Sequence, residues 1–228
     1  MSSSSSRGAQ PPDPPPGAHP GSYVVLLPVK PPARGKSRLV GLGDEVRVDL
    51  AAAFALDTVA ACLATPRVCA VLVATDDARF SAALSGAGAP CIPDGASGDL
   101  NATLRQTAAE ARRRWPGLDP VALCADLPAL VPHDLEAALA DLDAHGAPAF
   151  VADAAGVGTS MYAAPWDAFA PRYCGGSRRA HLDAGARELG GDLVTLRRDV
   201  DDLPDLQAAA RLGVGPRTRA VLDELGLF

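Results

Sequence analysis

The sequence predicts an α/β domain built on a mostly parallel sheet, and three observations carry that expectation. Near-continuous apolar runs at residues 23–29 and 68–74 suit strands buried on both faces. Segments with apolar residues at helical spacing lie between them, as in residues 46–64, where Val46, Leu50, Phe54 and Leu63 share a stripe. The two kinds of segment alternate along the chain, which is the pattern of a parallel sheet covered by helices.

Composition bounds the rest. The chain has 228 residues, 48% apolar and only 4% aromatic, so the core must be built from Ala, Val and Leu. A net charge of −6 argues against a general nucleic-acid binder, which needs a basic face. No run is long enough for a membrane span, and the first residues carry no apolar signal region. Five scattered cysteines without a C-x-x-C pair suggest neither a zinc site nor a disulfide frame. A reducing cytoplasm is the expected location. Residues 1–22 hold six serines and six prolines and almost nothing apolar, so a disordered tail is expected there, with one domain over 23–228.

Taken in order, the strand at 23–29 runs into the loop Lys30-Pro-Pro-Ala-Arg-Gly-Lys-Ser-Arg38, with four cations in nine residues. A loop directly after a first strand is where α/β proteins hold phosphates, although this one is not a Walker A loop. Of the 21 cationic side chains only Lys30 and Lys36 are lysines. In a chain whose bias favours Arg, two lysines in one loop mark a site that discriminates between the two. Helix 46–64 and strand 68–74 follow, then Asp76 and Asp77 as caps of a helix at 78–84. A short strand at 90–92, a loop with two glycines and a helix to about residue 114, with Asn101 as its cap, come next.

Residues 121–127 read as a buried strand stopped by Pro128, which leaves Asp126 at its carboxyl end. Ligands of open α/β sheets bind at those ends, and a carboxylate there is a candidate cation ligand. A helix at 132–143 and a strand at 147–152 precede a Gly-rich turn at 156–160, read as a hairpin turn or an oxyanion cradle. Ser177 is the expected cap of a helix to about residue 189, with Arg178 and Arg179 in its first turn opposing the helix dipole unless an anion docks there. A last strand at 193–196 leads to Asp199 and Asp201, which alternate and so point to one side of an extended chain. Helices at 204–212 and 216–227 close the domain.

Pro28-Val-Lys-Pro31, Gly35-Lys-Ser-Arg-Leu39, Asp126-Leu-Pro128, Gly158-Thr159, Gly176-Ser177 and Asp199-Val-Asp201 together resemble the motifs of a nucleotidyltransferase with a Rossmann-like, GT-A-like fold. More closely, they resemble the CofC-type guanylyltransferase family of coenzyme F-420 biosynthesis, whose members act on phosphoenolpyruvate or 2-phospho-L-lactate. The resemblance spans nearly the whole chain from Tyr23. It implies a GTP-dependent transfer of GMP to a phosphorylated three-carbon acid with Mg²⁺. Asp126 and Asp199 are then the metal ligands, with Asp201 close by. Lys30 and Lys36 meet the triphosphate, Arg34 and Asn101 join them as nucleotide contacts, and Thr159 and Ser177 hold the acid. Two positions depart from the family's pattern: Cys174 stands where a Gly is favoured, and Asp99 replaces the Gly of Gly-Leu-Asn. The expected acceptor is phosphoenolpyruvate, in a monomer or small homo-oligomer without nucleic-acid or membrane partners. A molybdopterin-type nucleotidyltransferase, a 3-phosphoglycerate acceptor and a non-catalytic nucleotide-binding module are the alternatives. The first favours a Gly-rich opening loop, against which Pro31-Pro32 argues, and the last has no need of both the mid-chain and the late acids.

Overall fold

The structure is a computed structural model that describes residues 22–31, 39, 41–96, 98–145 and 148–227. The expected tail up to residue 21, Arg34 and Lys36 lie outside the described residues.

Seven strands form one sheet in the order β3-β2-β1-β4-β6-β5-β7. They are β1 (Tyr23–Pro28), β2 (Val68–Ala74), β3 (Cys91–Ile92), β4 (Asp119–Leu123), β5 (Ala149–Ala152), β6 (Thr159–Ala163) and β7 (Arg187–Glu188). The pairings β1–β2, β1–β4, β2–β3 and β5–β7 are parallel, whereas β6 runs antiparallel to both β4 and β5. The helices are α1 (Asp44–Leu63), α2 (Ala78–Gly86), α3 (Leu100–Arg114), α4 (Pro132–His145), α5 (Ser177–Asp183), α6 (Leu203–Leu212) and α7 (Pro216–Glu224).

Strand alternation divides the core cleanly. Val25, Leu27, Val71 and Val73 face α1, α2 and α4, whereas Val24, Leu26, Ala70 and Leu72 face α3. Because both faces are covered, these strands need apolar residues at every position, which is why they read as continuous runs. A third cluster joins Leu50 and Phe54 of α1 to Leu206, Ala209 and Leu222 of the last two helices. Asp57 anchors that packing: its carboxylate accepts the Thr218 N–H at 2.8 Å and so caps α7 from the middle of α1.

Several elements differ from the sequence reading. Asp77 caps α2, but Asp76 instead accepts the Asp94 N–H. Asp99 rather than Asn101 caps α3, through the Ala102 N–H. β4 ends at Leu123, three residues before Asp126, because Thr58 of α1 takes over the backbone: its hydroxyl receives the Leu127 N–H and lies 3.2 Å from the Ala125 carbonyl. α5 stops at Asp183, where the chain turns through Gly185 at φ +83°, a conformation open to glycine. Residues 193–196 form a turn, since the N–H and hydroxyl of Thr195 both bond the buried Asp134 carboxylate and leave no edge for a ladder. The last strand is the earlier β7.

Candidate active site

The carboxyl ends of β1 and β4, with the antiparallel hairpin β5–β6 beside them, assemble most of the candidate residues. Lys30 is exposed two residues past β1. Asp126 is half-buried on the segment pinned by Thr58, and its carbonyl accepts the Val200 N–H at 3.1 Å. That bond helps bring the mid-chain acid and the late Asp199–Asp201 segment together, although Asp126 and Asp199 lie 73 positions apart. The turn after β5 adds a third segment. Asp153 closes it by accepting the N–H groups of Val157 at 2.9 Å and Gly158 at 2.7 Å.

These segments concentrate negative charge. Burial, and then the carboxylates of Asp126, Asp153 and Asp201, push the Asp199 carboxyl up to about 7. Asp201 is exposed and its N–H bonds Asp205. Among the described residues no group of three or more His, Cys, Asp or Glu side chains is arranged as a ready metal cage. The oxygen-only donor set and the raised Asp199 carboxyl nevertheless fit a hard divalent cation, which takes oxygen ligands and commonly keeps several waters.

A different chemistry lies across the hairpin. Thr159 and Ser177 are buried, and the Ser177 hydroxyl donates to Thr159 Oγ1 at 3.0 Å. Ser177 is the first residue of α5 rather than its cap; Gly176 holds the cap position without a side-chain bond. The two arginines that follow are ion-paired, Arg178 with Glu188 and Arg179 with Asp183, so their charge at the helix start is answered within the protein. Asn101 grips the main chain of Tyr173, donating to its carbonyl at 2.8 Å and accepting its N–H at 2.7 Å. It thereby ties α3 to the loop before α5. Between them opens a cavity of about 550 Å³, lined by Asn101, Arg105, Arg172, Tyr173, Cys174 and Asp183 among others.

Sequence reasoning missed two residues, Asp153 and His181. Asp153 carries the same signal as Asp126, an acid directly after an apolar run. His181 is fully buried and meets Thr159 Oγ1 at 3.1 Å, a contact between residues 22 positions apart.

The fold resembles solved nucleotidyltransferases. A candidate nucleotide-diphospho-sugar transferase from Desulfovibrio desulfuricans G20 superposes with a TM-score of 0.68 at 19% identity, covering 89% of this chain and 94% of that one. A nucleotidyl transferase from Methanothermobacter superposes with a TM-score of 0.56 at 19% identity, covering 84% and 97%. Sequence relatives are nearer. A phosphoenolpyruvate guanylyltransferase of Thermomonospora curvata is 46% identical over 209 residues, 91% of each chain. One of Streptomyces coelicolor is 46% identical over 206 residues, 89% of this chain and 97% of the relative. Residues 23–227, which contain the acids, the hairpin and the hydroxyl pair, match the family described as "Guanylyl transferase CofC like", and the chain belongs to that family.

Proposed function

We propose that the protein transfers GMP from GTP to phosphoenolpyruvate and releases pyrophosphate, as a step in coenzyme F-420 biosynthesis. The observation that carries this reading is the 46% identity, over 91% of each chain, to a relative bearing that name. The juxtaposition of Asp126 with Asp199 supports it chemically.

A phosphate oxygen of the acid attacks the α-phosphorus of GTP. A new P–O bond forms, the bond between the α-phosphorus and the bridging oxygen breaks, and pyrophosphate leaves with the electron pair. The nucleophile is already an anion, so positioning and charge neutralisation are what the protein must supply. Asp126 and Asp199 would hold Mg²⁺, with Asp201 at the rim, and the bound ion would neutralise charge on the triphosphate. Lys30 and Lys36 take the charge of the departing pyrophosphate, with Arg34 between them in sequence. Asn101 sets the wall of the nucleotide side through its grip on Tyr173. Thr159 and Ser177 hold the acid by hydrogen bonds to its oxyanions.

The test is pyrophosphate release from GTP with Mg²⁺ against phosphoenolpyruvate, 2-phospho-L-lactate and 3-phosphoglycerate at equal concentration. Phosphoenolpyruvate is the expected best acceptor. Preference for one of the other two changes the acceptor and leaves the guanylyl transfer intact. Release with none of the three removes the reading.

A further inference from the structure

Nothing in the transfer described above uses His181. Its ring is fully buried, stacked on Tyr162 at 4.7 Å and on Phe150 at 5.4 Å, with the edge of Tyr173 against it. Nε2 accepts the Arg172 N–H at 3.0 Å. A neutral imidazole has one N–H, so that proton must sit on Nδ1. Nδ1 lies 3.1 Å from Thr159 Oγ1, the oxygen to which Ser177 also donates. Burial, reinforced by the Arg172 charge and partly opposed by the Ser177 backbone, lowers the ring's pKa to about 4 and keeps it neutral.

Because Nδ1 already carries a proton, it cannot accept one from Thr159. The Thr159–Ser177 bond occupies one of the pair's two hydroxyl protons. Neither hydroxyl has another acceptor among the described residues, so one O–H remains uncommitted. With the opposite tautomer a bare Nδ1 would take the Thr159 proton, Thr159 would take that of Ser177, and the pair would have nothing to donate.

We propose that His181 is a positioning residue: the tautomer imposed by the Arg172 N–H keeps the Thr159–Ser177 pair a net hydrogen-bond donor toward an oxyanion of the acid substrate. The inference rests on the reading that this pair meets the acid. Specificity for an anion is then set from behind the site by one backbone N–H.

Steady-state kinetics of the full chain test it with Thr159→Val, His181→Phe and His181→Asn. Phe keeps the ring stack and removes both nitrogens, whereas Asn keeps an N–H near the Nδ1 position. His181→Phe should raise the KM for phosphoenolpyruvate about tenfold or more, the scale of one charge-assisted hydrogen bond, with the KM for GTP little changed. His181→Asn should recover most of that loss. If Thr159→Val raises the KM for the acid and His181→Phe does not, or if His181→Phe weakens GTP equally, the positioning role is wrong. If Thr159→Val leaves the KM for the acid unchanged, the acid-binding reading beneath it fails instead. Nitrogen-15 NMR of the unaltered protein is independent of variant folding. The ring identified by its contacts to Tyr162 and Phe150 should carry its proton on Nδ1, and a proton on Nε2 would overturn the proposal.

Discussion

Two neighbouring regions of this molecule want opposite partners. Burial, and then the neighbouring carboxylates of Asp126, Asp153 and Asp201, raise the Asp199 carboxyl to about 7, so this acidic region favours a cation. The buried hydroxyl pair of Thr159 and Ser177 has a buried imidazole behind it and, with the tautomer proposed above, a proton to give. The β5–β6 hairpin joins them: Asp153 at its turn belongs to the first region, and Thr159 at the start of β6 belongs to the second. On the function proposed above, cation and anion would be held side by side without either region being built for both.

Removing acids should break the first region most severely. Asp126→Asn or Asp199→Asn is expected to lower kcat on the order of 10²–10³-fold, the scale of losing one preorganised electrostatic contact at a reacting centre. Pyrophosphate release with saturating GTP and phosphoenolpyruvate measures it, and a variant within a few-fold of wild type excludes that acid as a metal ligand.

Gly158→Ala attacks the link between the regions. A Cβ at Gly158 would overlap Asp153 Oδ2, with the carboxyl carbon only 3.1 Å away. The carboxylate must rotate, losing the Gly158 N–H bond and shifting the start of β6. The expected cost is about 1–3 kcal/mol in denaturant unfolding, together with weaker acid binding. Unchanged stability and kinetics would show that the hairpin turn is not under this constraint.

The regions also titrate with opposite signs. Asp199 is raised from 3.8 to about 7, so the folded state holds its proton more tightly, and this group's contribution to stability falls as pH rises from about 4 to 7. His181 is lowered from 6.5 to about 4, so the unfolded state takes up the proton first and stability is lost as pH falls from 6.5 to 4. The two trends oppose each other in the wild type. Without added metal, the stability of Asp199→Asn relative to wild type should therefore increase from pH 4 to pH 7. Denaturant titrations of both proteins across that range give the difference directly, and a flat difference would show that Asp199 titrates normally.

The smallest effect is expected from the tail. Its Ser/Pro composition has too little apolar surface to dock, so deleting residues 1–21 should change neither Tm nor turnover. A clear drop in Tm on truncation would show that it packs on the domain.

Legibility in the sequence followed how local each feature's cause is. Buried parallel strands such as β1 and β2 announce themselves, because burial on both faces writes an unbroken apolar run. Asp126 stood out as one acid between an apolar run and Leu-Pro, although Thr58, far away on α1, decides where the strand ends. Residues 193–196 look like a strand and are not, since Asp134 takes the Thr195 N–H and the Arg197 N–H takes the Leu193 carbonyl, while two-residue β7 is too short to leave a period. His181 was invisible: its role depends on an N–H at Arg172 and a hydroxyl on β6, and a lone histidine in a short helix encodes neither.

The division of labour is tested most directly by steady-state kinetics of Asp126→Asn and Thr159→Val, with Mg²⁺ and phosphoenolpyruvate each varied at saturating GTP. Asp126→Asn should lose kcat and its Mg²⁺ response while keeping a near-normal KM for the acid. Thr159→Val should raise that KM and keep the Mg²⁺ response. If both variants alter the Mg²⁺ response and the acid KM alike, the two regions do not divide cation from anion.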